Sequence, residues 1–269
     1  MSGMYEEFFE MKHTPFTRGI PVDMLYHDRE IDEIHNRLVY AAKKQLFAVL
    51  IGDSGAGKTT TLRRLKDTLD GPDFSVLYLT ESKLTPRNFY NGLLEQLGCD
   101  THFYRGEARK KLHHQIEIMR GVENRKLVVI VDESHLLDRE MLEEIRFLLN
   151  YKMDSENPLS LILSGQQELW DKLKKQAYRA IRNRVDIQCF LAPYEFAQMK
   201  QYIEKQLEYS GRTSPVFSDD AVKLIYEFSS GIPRLVNRAC TQSLIYAYQQ
   251  RRTIIDDRMV QIVLDAEVA

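Results

Sequence analysis

Five short apolar runs mark the first two thirds of the chain: Gln45–Ile51 (QLFAVLI), Phe74–Thr80 (FSVLYLT), Lys126–Val131 (KLVVIV), Leu159–Ser164 (LSLILS) and Val185–Leu191. Each is of strand length. Most are apolar nearly throughout, the pattern of strands buried on both faces rather than one. Between them, the spacing predicts helices over Thr60–Leu69, Asn88–Leu97, Arg109–Arg120 and Arg139–Tyr151. In the last, Met141, Leu142, Ile145, Leu148 and Leu149 recur every three or four positions and form a single apolar stripe. Strands alternating with helices in this way predict a parallel sheet covered on both faces.

After Pro193 the strand pattern stops. Tyr194–Tyr209, Ser218–Ser229, Pro233–Gln250 and Asp256–Ala266 all read as helices. Ser218, followed by Asp219 and Asp220, reads as an N-cap with an acidic first turn. The expected organisation is an α/β core over residues 1–192, including an N-terminal extension, and a small all-helical domain over 193–269. No internal repeat or low-complexity tract interrupts it.

Composition narrows the class. The 269 residues are 43% hydrophobic and 28% charged, which excludes wholesale disorder. No stretch approaches the roughly 18 uncharged apolar residues of a membrane span. The acidic, aromatic start MSGMYEEFFEMKH lacks the basic and apolar regions of a signal peptide. Cys99, Cys189 and Cys240 are too scattered for a disulfide framework or a CxxC site. A cytoplasmic protein with no membrane partner is expected. Lys and Arg number 37 against 39 Asp and Glu, a net charge of −2. Attraction to nucleic acid must therefore come from a local patch, not from the whole chain.

The strongest chemical signal is Gly52-Asp53-Ser54-Gly55-Ala56-Gly57-Lys58-Thr59, followed by Thr60. It matches the G-x-x-x-x-G-K-[ST] pattern of a P-loop, between an expected strand and an expected helix. The glycines let backbone N–H groups face a phosphate, and the helix N-terminus adds its dipole. Lys58 can reach the β and γ phosphates, and Thr59 can ligate Mg²⁺. The strand Leu127–Val131 ends in Asp132 and Glu133, a Walker B arrangement. Asp132 would hold Mg²⁺, and Glu133 would act as base on the attacking water. His135, completing Asp-Glu-Ser-His, reads as a surface or coupling residue.

Three further features are compatible with this chemistry. Ser164, at the end of the fourth strand, is either a γ-phosphate sensor or the N-cap of a helix beginning near Glu168. The cationic stretch Lys172–Arg184 reads mostly as a solvated helix face. Arg184, with Arg182 in reserve, could act on a neighbouring subunit's nucleotide. Arg234, in Ser230-Gly231-Ile232-Pro233-Arg234, could report nucleotide state from the helical domain.

Together these motifs resemble those of an AAA+ ATPase. Tyr5–Phe9 with Thr14-Pro15-Phe16, Leu25-Tyr26 before Glu30, Gly165–Leu169 and Gly231–Asn237 are similar to the ExeA-like branch. That branch includes the secretion ATPase ExeA and the transposition regulators TniB and TnsC. The resemblance runs over nearly the whole chain. It implies a P-loop AAA+ three-layer sandwich with a five-stranded parallel sheet and a helical lid, using ATP and Mg²⁺. It further implies that Ser164 is sensor 1, Arg184 the arginine finger and Arg234 sensor 2, and that Tyr26 lies against the adenine. The sequence departs from the branch at Ser134 and His135, where Ala or Gln is more usual, and at Gln167, where Pro is more usual.

The resemblance implies self-assembly into a ring or helical filament. For a transposition regulator it also implies sequence-independent duplex DNA and a transposase as partners, with disassembly on hydrolysis. The alternatives are an ExeA-like secretion-assembly ATPase and a nucleotide-switched scaffold that does not touch DNA. Secretion-type relatives carry a membrane helix and a cell-wall-binding region after the lid, so a chain ending at Ala269 leads to the transposition reading. Lys83, Arg87, Arg105, Arg109 and Lys110, beside Phe103 and Tyr104, are the candidate DNA contacts; a solvated basic helix face is the alternative.

Overall fold

The computed structural model describes residues 4–80, 84–150 and 157–268. The chain divides into two compact units: Glu30–Ser54 with Lys58–Leu191, and Met1–Arg29 with Gly55–Gly57 and Ala192–Ala269. A short helix, α1 (Met4–Phe8), opens the described chain.

The first unit runs α2 (Arg29–Lys44), β1 (Phe47–Gly52), α3 (Lys58–Thr68), β2 (Phe74–Leu79), α4 (Pro86–Gln96), α5 (Arg105–Gly121), β3 (Lys126–Val131), α6 (Arg139–Leu148), β4 (Ser160–Gly165), α7 (Gln167–Lys174), α8 (Arg179–Arg182) and β5 (Ile187–Leu191). The five strands are parallel, in the order β2-β3-β4-β1-β5. On one face, Phe47, Val49, Ile51, Leu127, Val129, Val131, Leu161 and Leu163 share a core with the apolar stripes of α4 to α7. The alternate residues Ala48, Leu50, Val128, Ile130 and Ile162 are equally buried. Their face falls to α2 and α3, which bring buried Leu38, Ala41, Leu62 and Leu65. Burial on both faces is the reason these strands carry no polar alternation. The expected helix reaching Tyr151 ends at Leu148, and Tyr151 itself lies outside the described residues.

Helix α2 has no counterpart in the sequence reading. Its buried positions are His35, Leu38, Ala41 and Ala42, spaced as a helix requires. A histidine and two alanines make a faint hydrophobic stripe. The imidazole is accommodated by Thr68, whose Oγ1 lies 3.1 Å from His35 Nε2.

The second unit contains α1, α9 (Phe196–Tyr209), α10 (Asp219–Ser229), α11 (Pro233–Gln249) and α12 (Asp257–Val268). Ser218 caps α10 as expected, accepting from the Ala221 N–H. Glu195 and Gln198 form a capping box at α9. The N-terminal segment departs from the expected core of residues 1–192. Residues up to Arg29 cluster with the helical unit. The reason is apolar burial: Phe9, Met11 and Phe16 join the core formed by Met199, Ile203, Leu207 and Phe217. Polar bonds fix the segment's register. Phe16 N–H donates to buried Gln206 Oε1 at 2.9 Å, and Lys12 N–H to the Ser210 carbonyl at 2.7 Å.

Candidate active site

Parallel strands point their C-terminal ends to one edge of the sheet, and ligands of such folds bind there. β1 is buried along its whole length and delivers Gly52 to that edge. The following loop turns through Gly55 (φ 88°) and Gly57 (φ 101°), a region that side chains of L-residues rarely allow. A Cβ built on Gly57 would meet no atom within 4 Å. α3 then starts at Lys58, placing its positive dipole end at the loop. Ala56 and Lys58 are buried, while Asp53, Ser54, Thr59 and Thr60 are exposed. Lys58 Nζ donates to the carbonyls of Gly52 (2.8 Å) and Asp53 (3.0 Å).

Asp132 is the hub of the site. Only 3% of its surface is exposed, yet donors from several elements converge on its carboxylate. Ser164 Oγ donates to Oδ1 at 2.7 Å, and the Glu133 N–H donates to the same oxygen at 2.9 Å. Tyr78 OH (2.9 Å) and Thr59 Oγ1 (3.2 Å) donate to Oδ2. The strand order explains the convergence. β3 lies between β2, which carries Tyr78, and β4, which carries Ser164. Four donors satisfy a buried carboxylate that would otherwise carry a large desolvation cost. Burial, followed by the bond to Asp132, pushes the Tyr78 phenol up to about 12. It therefore stays a donor at neutral pH.

Ser164 does not cap the next helix. Gln166 occupies the N-cap position of α7, with no side-chain cap bond, and Ser164 is spent on Asp132. Glu133 follows with φ 51°, a left-handed conformation unusual outside glycine, and a half-exposed carboxylate. Of the two finger candidates, Arg182 donates to the Lys174 carbonyl at the end of α7 (3.0 Å), and Arg184 is half-buried just before β5. In the helical unit, Arg234 is exposed on the first turn of α11, behind Pro233. Tyr26 packs there edge-on against Tyr194 and Tyr202, at 5.5 and 5.8 Å between centroids.

Four further residues cluster around Asp132 and Glu133, of which Tyr78 and Lys172 carry no site signal in the sequence. Tyr78 is far from the motifs in sequence, and only strand pairing brings it to Asp132. Gln166 lies in the Gly165–Leu169 segment that resembles the ExeA-like branch, and Lys172 reads as part of a solvated helix face. His135 is 13% exposed, not a surface residue. Lys172 Nζ donates to the carbonyls of His135 (2.9 Å) and Leu137 (2.7 Å), and burial lowers its pKa.

The candidate DNA contacts separate into groups. Arg105 pairs with Glu140 (3.2 Å) and Glu144 (3.6 Å), and Arg109 with Glu144 (3.7 Å). These two cations answer a buried carboxylate, which also accepts from Tyr90 OH at 2.7 Å. Arg87 is exposed and lies over the Phe103 ring at 5.7 Å. Lys110 lines a shallow cleft of about 440 Å³ with His113, His114 and Phe147. Lys83 lies outside the described residues.

Thr59 and Asp132 offer one hydroxyl and one carboxylate on adjoining elements. That is the small oxygen set of a Mg²⁺ ion that keeps waters and substrate phosphates as its other ligands. Among the described residues, no group of three or more His, Cys, Asp or Glu side chains could hold a metal by itself. Among them also, no helix is long and apolar enough to cross a membrane.

Comparison with known proteins agrees with this geometry. Residues 41–173 match the family model described as an AAA domain. General secretion pathway protein A of Aeromonas hydrophila is 28% identical over 253 residues, covering 91% of this chain and 45% of the relative. The structure of Drosophila ORC bound to DNA superposes with a TM-score of 0.72 at 20% identity, covering 99% of this chain and 65% of that one. The Aeropyrum pernix ORC1 protein in complex with DNA gives 0.68 at 16% identity, covering 98% and 69%. The chain thus spans under half of the secretion relative and about two thirds of the superposed proteins. Residues 41–173 are thus similar to an AAA domain, and the chain has the P-loop AAA+ α/β fold.

Proposed function

We propose that this chain is an ATP hydrolase and a nucleotide-controlled assembly factor for DNA transposition. In this reading it oligomerises on duplex DNA with ATP, recruits a transposase and disassembles on hydrolysis. The observation that carries the nucleotide cycle is the Asp132 cluster, where the P-loop Thr59 and the β4 Ser164 meet one buried carboxylate. Lys58 and the loop N–H groups of Gly52–Gly57 bind the phosphates, and Thr59 and Asp132 hold Mg²⁺. The ion neutralises charge on the phosphates when bound. Glu133 takes the proton of the attacking water, and Ser164 reads the γ-phosphate beside Asp132. Tyr26 faces the adenine, Arg184 completes a neighbour's site, and Arg234 reports nucleotide state in the helical unit.

The DNA part of the reading is supported by the fold's likeness to two proteins whose structures hold DNA. It is also supported by the exposed Arg87 and by Lys110. A ring or filament repeats each cation along the backbone, so few per subunit suffice for a salt-sensitive, sequence-blind grip. A second reading, a secretion-assembly ATPase, is favoured by the 28% identity to general secretion pathway protein A.

One experiment separates the two. Glu133→Gln should retain ATP, stay assembled and shift duplex DNA of any sequence in a gel. Lys58→Ala should lose ATP binding by roughly ten- to a hundredfold, as for a lost charge-assisted hydrogen bond, and fail to shift DNA. The DNA-bound complex should retain an integrase-type transposase. Absence of an ATP-dependent DNA complex at low salt sinks the transposition reading and leaves the secretion one.

A further inference from the structure

Glu133 sits on a strained turn that is held tightly everywhere except at its carboxylate. Its N–H is bonded to Asp132, its carbonyl accepts from the Leu136 N–H at 3.0 Å, and Ser134 Oγ donates to the Val131 carbonyl at 2.6 Å. Such a left-handed residue persists where its surroundings over-determine it. Among the described residues, the carboxylate has the His135 imidazole as a close neighbour. His135 Nδ1 lies 3.5 Å from Glu133 Oε2.

The imidazole cannot turn away. Its Nε2 lies 3.2 Å from Gln166 Nε2. Its Nδ1 is shielded from water and makes no hydrogen bond of standard geometry. With the amide nitrogen donating, His135 Nε2 accepts and the ring proton resides on Nδ1, facing Glu133. The opposite amide orientation would place a lone pair against the carboxylate unless the ring were charged. The arrangement that leaves no repulsion is therefore Gln166 N–H to Nε2, and Nδ1–H toward Glu133. At 3.5 Å this last bond is just beyond normal length, and a small rotation of the exposed carboxylate closes it.

The backbone beneath is clamped to the end of β4 and to α7. A Cβ on Gly165 would come within 3.0 Å of the His135 nitrogen, so the two segments are in close approach. Lys172 of α7 ties down the carbonyls on either side of Leu136. None of these groups is needed to bind a phosphate. All of them fix where the imidazole stands.

We infer that His135 is a positioning residue for Glu133: Gln166 orients its ring, and Nδ1–H steers the carboxylate that activates water. This rests on the reading of Glu133 as the base. Steering matters because a misplacement of about 1 Å can cost two orders of magnitude in rate. The test compares steady-state ATP hydrolysis by wild type, His135→Ala, His135→Gln, Gln166→Leu, Glu133→Gln and the Glu133→Gln/His135→Ala pair. His135→Ala should lower kcat about tenfold with KM for ATP within about twofold, since the loss falls on the chemical step. His135→Gln should recover most of that loss, because its amide can donate from a similar place. Gln166→Leu should reproduce part of the loss with the histidine intact, which covers the case of a poorly folding alanine variant. The double variant should be no slower than Glu133→Gln alone. Wild-type kcat in both His135→Ala and Gln166→Leu, or a further loss in the double variant, overturns the positioning role. Wild-type turnover in Glu133→Gln overturns the role of the base itself, and the steering role with it.

Discussion

At the scale of single residues, the site depends on satisfying one buried carboxylate. Ser164 supplies a 2.7 Å bond to Asp132 that no other side chain can replace from β4. Ser164→Ala leaves Oδ1 with only the Glu133 N–H. The expected cost is about 1–3 kcal/mol of folding stability, the range for a buried acceptor that loses a partner. If Asp132 holds Mg²⁺ as proposed, turnover should fall more than ATP affinity, because the hydroxyl faces that carboxylate and not the loop. Thermal unfolding and ATP hydrolysis check this together; no change in either reduces Ser164 to a filler of the strand. Tyr78→Phe removes a second donor. With the phenol pushed up to about 12, this bond should not vary with pH near neutrality. Lys58 and Thr59 are legible in the sequence because they lie in one contiguous motif. Tyr78 is not, because its role exists only when β2 pairs with β3.

At the scale of elements, backbone geometry decides more than propensity does. The turn between α10 and α11 passes through Ser230 (φ 47°) and Gly231 (φ 75°). The Gly231 carbonyl accepts from the Tyr194 N–H at 2.9 Å. A Cβ on Gly231 would stand 1.9 Å from the Tyr194 carbonyl oxygen, which is backbone and cannot rotate away. Gly231→Ala should therefore destabilise the helical unit by about 2–4 kcal/mol, combining left-handed strain with overpacking. A thermal melt matching wild type would show that the turn has slack. In the sequence this segment reads as a helix opening with an arginine sensor. The close approach to residue 194 is invisible there, because the two positions meet only after α9 and α10 have packed.

At the scale of the whole molecule, the near-neutral charge takes on a definite distribution. Arg105 and Arg109 are drawn to Glu140 and Glu144, and the buried Glu144 also holds Tyr90. Those cations are better placed to stabilise α5 against α6 than to meet phosphate. Arg87 is exposed, held over the Phe103 ring. If the protein grips DNA as proposed, Arg87→Glu should weaken duplex binding for all sequences and flatten its salt dependence. The slope should drop by about 0.9 for each phosphate that is no longer neutralised. Arg105→Ala should leave DNA affinity nearly unchanged and lower stability instead. Titrations of labelled duplex at several salt concentrations distinguish the two variants. A larger DNA defect in Arg105→Ala than in Arg87→Glu would reverse this assignment.

Much of the protein is readable from the order of its residues. Buried parallel strands announce themselves as apolar runs, and a phosphate loop needs its glycines and lysine consecutively, so the α/β core, the P-loop and the Asp132-Glu133 pair are local in sequence. Folding alone decides the rest. The stripe of α2 is written in histidine and alanine and is too faint to see. Residues up to Arg29 look like part of the core until Phe9, Met11 and Phe16 are buried among the C-terminal helices. Three stretches of the chain surround Asp132, Glu133 and the neighbouring His135: Tyr78 on β2, Ser164 with Gln166 at the end of β4, and Lys172 on α7. Ser164, His135 and Gln166 lie in segments that the sequence singles out, but nothing along the chain connects them to one another or to Tyr78 and Lys172. They meet because β3 lies between β2 and β4, and because α7 starts where β4 ends.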